Sequence, residues 1–500
     1  MKRVLVISAT LALGLTGCSA GSSTSGGASA GAARDSASVG FAAEPANLDF
    51  SATDGAAIPQ VLLVNVYEGL VRLDADGKIQ PQLAKAWTVS DDRKTYDFQL
   101  QSGAKFSNGD AFDAAAVKFS IERVKSAAWK ISLKKYMDVV DRVEIVSPTE
   151  VKVTLTRPSN DWLFRMTTRI GAMFSPTGVA DLANAPVGTG PYTMQKWTRG
   201  DSITLARRDD YWGRKPALKT VTFKYFKDAN AANNALLTGG IDAIVGLQSP
   251  DSVPQFKADS KLQVIVGSSN GELVLSLNNA TGPFKDKRVR QAVNHAIDRK
   301  ALLQAAAAGY GTLIGSMVPP TDPWYEDLAN AYPYDPEKAK ALLAEAGVGG
   351  LTVRFRVPNL PYAVAAAQLV KSDLAKAGVT ANIDVLEFPA RWLDVVFQKH
   401  DYDMSIISHV EARDIATFAD PKYYWGYDNR GVQQLTQEAD AGTEQDQVTK
   451  LKQVARTLSD DAVCDWLYLG ANLDVAKKGL GGIPQNLIGE AFDVTALTWS

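Results

Sequence analysis

The chain has 500 residues, of which 46% are hydrophobic and 22% charged, and it carries a formal net charge of −2. This length exceeds what one compact core accommodates, so we expect two or three domains. The nearly neutral charge, with no basic stripe, argues against a nucleic-acid partner.

The first 17 residues have the pattern of a signal peptide. "MKR" is a short positive region, and "VLVISATLALGL" is an apolar stretch too short to span a bilayer as a mature helix. "LTGC", which ends at Cys18, resembles a bacterial lipobox, where cleavage precedes a lipidated cysteine. We therefore expect an exported protein held on the outer face of the cytoplasmic membrane by lipidated Cys18. The alternative is an ordinary secretion signal followed by a chance cysteine.

Residues 18–38 are predicted to form a flexible tether. They are rich in Ser, Gly and Ala and have almost no large apolar side chain, so they cannot bury enough surface to fold. Cys464 is the only other cysteine, which leaves no disulfide framework if Cys18 carries lipid.

Strands and helices both follow from the pattern of apolar residues. A period of two predicts half-buried strands at 95–100, 151–156, 220–226 and 272–278. Helix starts are predicted after Asp113, Asp286 and Asp335. His295 falls off the apolar stripe of its helix, which predicts a surface histidine. Strands and helices alternate without one uniform period, so we expect α/β lobes with mixed sheets rather than a barrel.

Motifs typical of enzymes and metal sites are weak in this chain. "GSSNG" places Ser269 in a nucleophile slot, but a strand-like segment follows it where that motif needs a helix. Adjacent carboxylate pairs such as Asp460 and Asp461 are usually solvated. The chain has three histidines and no C-x-x-C or H-E-x-x-H motif, so it offers few candidate ligands for a metal site. We expect no catalytic residue, no cofactor and no metal.

Two glycine-containing segments are interpreted as turns. "GTGPY" (188–192) lacks the third glycine of a dinucleotide loop and the GK[ST] of a P-loop. "DADGK" (74–78) begins like a calcium loop, but no closing Glu follows, so it predicts a turn between two strands.

The chain resembles the extracellular solute-binding proteins of family 5, the peptide/nickel class that serves ABC importers. The resemblance is carried by segments in family order: "EPANLDF", "YEGLVRLDADGKIQPQLAKAW", "PVGTGPYTMQKW", "RDDYWG", "LTGGIDAI", "LSLNNATGPFKDKRVRQAVNHAIDRKAL" and "YDPEKAKALLAEAG". It covers nearly the whole mature chain.

The resemblance implies an α/β, two-lobed binding-protein fold with a hinge. Lobe I would consist of residues 39–67, 190–271 and 463–500, with 68–189 as an inserted subdomain, and lobe II of residues 272–462. The implied function is capture of a small solute, di- or oligopeptides above all, and its delivery to a permease and ATPase complex. We expect a monomer that acts by closing around its ligand.

The resemblance also implies where the solute is held. In peptide-binding relatives an acid in the second lobe binds the ligand's amino terminus, and "SHVEARDIATFADP" occupies that place here. Asp414 is the first candidate and Glu411 the second, and His409 stands about where relatives have Trp. The further candidate contacts are Arg413, Tyr424, Trp425 and Glu44.

This sequence departs from the family pattern at the other end of the ligand. It has no Arg in "RVPNLPYAVAAAQ" where dipeptide-binding relatives place one before the helix, so Arg413 or backbone groups would hold the carboxylate. A metal chelate or an oligosaccharide is the alternative solute. An exported lipoprotein hydrolase using Ser269 or a carboxylate pair is the alternative class.

Overall fold

The computed structural model describes residues 34–53 and 55–500. The strands are β1 (Ser36–Phe41), β2 (Val71–Leu73), β3 (Ile79–Pro81), β4 (Ala84–Val89), β5 (Thr95–Leu100), β6 (Val140–Ser147), β7 (Glu150–Leu155), β8 (Tyr192–Thr198), β9 (Ser202–Arg207), β10 (Thr220–Tyr225), β11 (Ala243–Ile244), β12 (Leu262–Leu277), β13 (Gly311–Thr312), β14 (Thr352–Pro358), β15 (Thr380–Leu386), β16 (Met404–His409), β17 (Cys464–Lys477), β18 (Leu480–Gly481) and β19 (Thr498–Trp499).

The helices lie between these strands along the chain. They are α1 (Ala57–Leu62), α2 (Ala114–Lys125), α3 (Asn160–Arg165), α4 (Ala229–Leu237), α5 (Val253–Ala258), α6 (Lys287–Ala296), α7 (Arg299–Ala307), α8 (Pro336–Glu345), α9 (Pro361–Lys376), α10 (Ala390–Trp392), α11 (Arg430–Ala441) and α12 (Glu444–Asp460). A π-helical turn, Leu393–Gln398, continues α10.

One large mixed sheet runs through the molecule in the order β15-β14-β16-β12-β17-β11-β1-β10-β9-β8, with β13 also paired to β17. β1 is parallel to β10 and β11, and β14 is parallel to β15, whereas β12 is antiparallel to β16 and β17. A separate antiparallel sheet has the order β4-β5-β7-β6. The prediction of mixed sheets is confirmed.

Three helices begin at the capping residues that the sequence predicted. Asp113 accepts hydrogen bonds from the backbone of Ala115 and Ala116, Asp286 caps α6, and Asp335 caps α8 with Pro336 in its first turn. Each cap satisfies backbone donors that the first turn of a helix leaves unpaired.

Both glycine-containing turns are confirmed. "DADGK" joins β2 to β3 in a hairpin, with Asp74 accepting from the backbone of Asp76 and Lys78. "GTGPY" leads directly into β8, and a Cβ on Gly188 would lie 2.0 Å from the carbonyl oxygen of Val66. Gly188 is therefore required because another backbone segment passes against it.

The two lobes are distinguished by their separate hydrophobic cores. One core draws its residues from 37–245 and 476–497, and we call the part built on it lobe I. Two further cores draw on residues 273–469, and we call that part lobe II. β17 contributes to the cores of both lobes, β12 pairs with it along its length, and the pairing changes register between Ser268 and Glu272.

Two predicted boundaries need correction. β1 begins at Ser36, so the last three residues of the predicted tether belong to the main sheet, where they pair with β10. Residues 463–469, assigned from sequence to lobe I, are packed in the cores of lobe II, because β17 pairs with β12 along both lobes. The remaining domain boundaries stay predictions.

His295 was predicted to be exposed, and this is wrong. Its side chain is buried, with Nδ1 2.8 Å from the carbonyl oxygen of Pro333 and the ring edge-on to Tyr332. The segment before α8 covers this face of α6, a contact that the periodicity of one helix does not reveal.

Among the helices of residues 34–53 and 55–500, none combines the length and apolar character that a membrane crossing requires.

Candidate functional site

The segment "SHVEARD" (408–414) lies at the end of β16, on the side of lobe II that meets lobe I. β16 pairs with β12 so that His409 lies opposite Glu272. After His409 the chain leaves the sheet, and Asp414 begins a 3-10 turn that extends to Ala419. The side chains of this segment therefore lie where two distant strands and a loop converge.

His409 is buried on an aromatic support. Its ring is stacked parallel to Tyr424, its centroid is 5.1 Å from that of Trp425, and Nε2 lies 3.0 Å from the Tyr424 hydroxyl. Burial lowers the pKa of His409 to about 4, because the charged imidazolium loses its hydration. His409 is therefore neutral near pH 7.

Asp414 is a buried carboxyl group with one free oxygen. Its Oδ2 lies 3.8 Å from Nδ1 of His409 and has no hydrogen-bond partner in the part of the chain that the structure describes. Burial raises the pKa of Asp414 well above its ordinary value, and the negative charges of Glu411 and Asp322 raise it further. An unpaired buried carboxylate is costly, which makes this atom a natural partner for a cation.

Glu272 is a second buried acid that sequence reasoning missed. It is 1% exposed, and its Oε2 has no hydrogen-bond partner among the described residues. Burial raises the pKa of Glu272 well above its ordinary value, with the charge of Asp414 adding to the effect. In the sequence, Glu272 is distinguished only as an acidic residue at the start of the apolar strand "ELVLSLN".

Asp322 was also missed and brings a further acid, half-buried and with a buried Oδ2, to the same region. Burial raises its pKa to about 6, although the nearby charges of Arg413 and Arg165 oppose the shift. Glu411 is exposed and completes the group. Asp414 and Glu411 thus lie beside one neutral histidine, and the charges of Glu272 and Asp322 act on Asp414 or on each other, an arrangement that favours a positively charged ligand.

His409, Glu411 and Asp414 also satisfy the distance requirement of a metal site. One ligand atom from each lies within 4.8 Å of the others. One imidazole and two carboxylates are a donor set that several divalent metals accept. Three protein ligands would leave positions open for a solute.

Arg413 extends from lobe II onto an aromatic ring of lobe I. Its backbone is left-handed, with φ of 59°, an uncommon conformation outside glycine. The guanidinium lies 3.7 Å from the ring centroid of Phe164 and 5.0 Å from that of Trp324. Phe164 belongs to α3 of lobe I, so Arg413 bridges the two lobes by a cation–π contact.

A second set of contacts between the lobes lies beside Arg413, and we call it the clasp. Asp440, at the end of α11, accepts hydrogen bonds from Arg157, from Ser159 Oγ and from the backbone of Asp161. Asn160 donates to the carbonyl oxygens of Ala439 and Gly442 at 2.8 and 2.9 Å. The clasp holds the lobes together on one side of the site.

Tyr424 and Trp425 are buried structural neighbours of His409. The Tyr424 hydroxyl lies 2.6 Å from Ser276 Oγ, and Trp425 is stacked on Phe418 with ring centroids 4.4 Å apart. They form the wall behind His409. Contact of either ring with a solute stays a prediction.

Glu44 is held in a different part of lobe I. Its carboxylate accepts hydrogen bonds from Trp197 Nε1 at 2.7 Å and from the backbone of Gly200 at 3.0 Å. It lines a cavity of about 460 Å³ that Gly246 and Leu487 also line. The structure does not group Glu44 with the residues around Asp414.

Ser269 does not have the setting of a nucleophile. It lies inside the continuous strand β12, where its hydroxyl donates to the carbonyl oxygen of Gly470 at 2.7 Å. In place of the sharp turn from strand to helix that exposes a hydrolase nucleophile, the chain here continues as strand β12 through the change of register in its pairing with β17.

The comparisons with known proteins agree with this architecture. A sequence model described as "Bacterial extracellular solute-binding proteins, family 5 Middle" matches residues 78–430. The glutathione-binding protein GsiB of Salmonella paratyphi A is 33% identical over 346 residues, which are 68% of this chain and 67% of GsiB.

Solved structures give the same result for the fold. The binding protein AgaA from A. tumefaciens R10, in complex with agropinic acid, has a TM-score of 0.78 at 26% identity and covers 93% of this chain and 99% of AgaA. The oligopeptide-binding protein AppA from Bacillus subtilis, in complex with a nonapeptide, has a TM-score of 0.77 at 21% identity and covers 94% and 99%.

These neighbours confirm the predicted two-lobed binding-protein fold. The relatives are named as binding proteins rather than enzymes, in agreement with a receptor role. The chain belongs to family 5 of the bacterial extracellular solute-binding proteins, the receptors of ABC importers.

Proposed function

We propose that the mature protein captures short peptides or peptide-like solutes between its lobes and delivers them to an ABC importer permease. The observation that carries the proposal is the free, buried Oδ2 of Asp414 beside neutral His409. A peptide's terminal ammonium supplies the positive charge that this oxygen lacks, through a charge-assisted hydrogen bond.

Other features support a peptide-like solute. Glu411 lies near enough to assist Asp414, and Arg413 offers a cation for the ligand's carboxylate. GsiB is named for glutathione, and AppA was solved with a nonapeptide. Aromatic and apolar walls around a few charged anchors suit a receptor of broad specificity.

The decisive experiment is native mass spectrometry of the mature protein after incubation with a peptide mixture. We expect intact peptides to be retained, and Asp414→Asn to weaken their binding by about 2–5 kcal/mol because a buried ammonium loses its charged partner. Asp428→Asn, which changes an exposed acid, is the matched control.

Three outcomes would contradict the proposal. Cleaved peptides would indicate an enzyme, and retention of sugars alone would exclude peptides as the solute. An unchanged affinity in Asp414→Asn would remove Asp414 from the amino-terminal anchor.

A metal chelate is the second candidate solute, and the grouping of His409, Glu411 and Asp414 within 4.8 Å supports it. In that case retention of the solute would disappear with EDTA and with His409→Gln. Peptide binding through Asp414 would persist in EDTA.

The lipid anchor is part of the proposal. The predicted signal peptide, Cys18 and most of the tether lie outside the described residues, so the lipobox pattern of the sequence is its support. We propose an extracytoplasmic protein attached to the membrane through Cys18.

A further inference from the structure

A cavity of about 670 Å³ lies on lobe I and is lined by residues drawn from 64–217 and 493–498. We call it the Trp212 cavity. Tyr211 and Trp212 line it, and both donate hydrogen bonds to the buried carboxyl group of Glu68, at 2.7 and 3.0 Å. These bonds fix the polar tips of the two rings, so the rings form a stable wall. The volume is within the range of about 300–1,000 Å³ that is typical of ligand sites.

Three cations line the Trp212 cavity. They are Arg72, Arg214 and Lys215, and the side chains of all three are in contact with solvent. Among the described residues, Arg214 and Lys215 form no ion pair within 4 Å and no side-chain hydrogen bond. Both charges are therefore accessible to an anion that approaches from outside.

The acids near this cavity do not neutralise the two unpaired cations. Asp493 also lines the cavity, but its carboxylate lies 3.7 Å from Arg72 and pairs with it. Each of the two acids before Tyr211 pairs with an arginine two positions earlier in the chain. Burial raises the pKa of Glu68 to about 7, so this acid carries only part of a negative charge near pH 7. The cavity is therefore positively charged and attracts anions.

The first described residues of the chain lie beside the Trp212 cavity. Arg34 stacks on Trp499, with the guanidinium carbon 3.9 Å from the ring centroid, and Asp35 pairs with Lys219 at 2.8 Å. Residues within two positions of Trp499 and of Lys219 line the cavity. The segment that follows Cys18 therefore joins lobe I next to the cavity.

The proposed lipid anchor would turn this side of lobe I toward the membrane. Arg34 is sixteen positions after Cys18, and a chain of that length spans at most about 55 Å. This limit is comparable with the diameter of about 60 Å expected for a globular body of this size. The surface around Arg34 is therefore on average nearer to the membrane than the opposite side of the body.

We propose that the Trp212 cavity makes a second, non-covalent contact with the membrane, in which Arg214 and Lys215 bind the phosphate of an anionic lipid headgroup. Tyr211 and Trp212 supply ring surface of the kind that proteins place at membrane interfaces. The inference rests on the proposed lipid anchor and goes beyond it, because it specifies which side of lobe I is in contact with the membrane.

The first test measures co-sedimentation of the mature chain, made without its lipid, with vesicles of phosphatidylcholine alone or mixed with phosphatidylglycerol. We expect a preference for the vesicles with phosphatidylglycerol, and this preference should fall as the salt concentration rises because salt screens the attraction. The double variant Arg214→Gln/Lys215→Gln should bind these vesicles about 25-fold more weakly, since each cation removed costs about fivefold. Lys300→Gln/Lys371→Gln, which removes two exposed cations from α7 and α9 of lobe II, should bind like the wild type.

Three results would overturn the inference. The first is equal binding of the wild type to both kinds of vesicle, and the second is an unchanged preference in Arg214→Gln/Lys215→Gln. The third comes from thermal unfolding in inorganic phosphate. If phosphate stabilises the wild type but not the double variant, and the wild type shows no preference for phosphatidylglycerol, the cavity binds a soluble phosphate rather than a lipid headgroup.

The second test supplies an artificial anchor. The mature chain is coupled through Cys18 to a maleimide lipid in either kind of vesicle, while Cys464 is buried and does not react. We expect backbone amides of 211–217 to exchange hydrogen more slowly on phosphatidylglycerol vesicles in the wild type but not in the double variant, and equal exchange on both vesicles would refute the contact. Because this anchor is artificial, failure of the natural anchor, detected by fractionation of Cys18→Ala, is distinguished from failure of the contact.

Discussion

At the scale of single residues, the site is defined by buried acids whose carboxyl groups are shielded from water and only partly hydrogen-bonded. Asp414 and Glu272 each have one carboxylate oxygen without a hydrogen-bond partner among the described residues, and His409 beside them is neutral. Burial and mutual repulsion both favour the protonated acids, so their pKa values are raised. Strongly shifted groups clustered at a junction of lobes are typical of binding sites.

The raised pKa of Asp414 predicts a pH dependence of peptide binding. At low pH the carboxyl group is protonated and cannot pair with an ammonium, so affinity should rise as the pH increases through this raised pKa. Titration calorimetry between about pH 5 and pH 9 measures the effect.

Glu411→Gln removes one of the charges that raise the pKa of Asp414, so the midpoint of this dependence should move to lower pH. Glu337→Gln, on an exposed part of α8, should leave the midpoint in place. An affinity independent of pH over the whole range would show that Asp414 does not titrate at the site.

At the scale of elements, α3 of lobe I and the end of α11 of lobe II form the most direct contact beside the site. The clasp uses one carboxylate, Asp440, to pair with two donors of the loop that leads into α3, Arg157 and Ser159, and with the backbone N–H of Asp161 in the first turn of α3. Arg165 of α3 adds a hydrogen bond to the carbonyl oxygen of Ala412. Because these contacts join the two lobes, separation of the lobes would break them, so they favour the closed arrangement.

Asp440→Asn should therefore open the free protein and weaken solute binding. We expect a larger radius of gyration in small-angle scattering, and an affinity lower by about threefold to tenfold, because the pair is partly exposed and screened. Glu438→Gln, which breaks an ion pair inside lobe II with Lys450, is the matched control. Unchanged scattering would mean that the clasp does not govern closure.

At the scale of the whole molecule, two long strands join the lobes. β12 and β17 pair along 262–277 and 464–477, and their register changes between the ends packed around Leu262 and Val475 and the ends packed in the cores of lobe II. A break in pairing at this point is a suitable place for a hinge. The first strand of the body, β1, begins at Ser36, within the last three residues of the predicted tether.

The proposed anchor predicts how the whole protein distributes in the cell. Cys18→Ala should release it from the membrane fraction, because no lipid would then be attached. Cys464→Ala, which changes the buried cysteine inside lobe II, should leave it in that fraction. Fractionation followed by immunoblotting checks both variants, and membrane association of Cys18→Ala would contradict the lipobox.

Much of the fold and part of the site could be predicted from the sequence. The alternation in "TYDFQL" matches β5 residue for residue, and Asp113, Asp286 and Asp335 are the predicted caps. "SHVEARD" lies at the junction of the lobes, as the family resemblance implied. Glu272 could not be predicted, because its position opposite His409 depends on the pairing of strands more than a hundred residues apart.

The sequence by itself determined the features that depend on near neighbours: helix caps, strand alternation, turns, and the family motifs that identify a two-lobed receptor. The tertiary structure decided which charged groups are buried and which have partners. It placed Glu44 against Trp197 and Gly200, buried His295, and left Asp414 Oδ2 and Arg413 Nε without a hydrogen-bond partner in the described part of the chain. The physical reason is that desolvation and Coulomb energies depend on distances between side chains, and these distances are set by segments far apart in the chain.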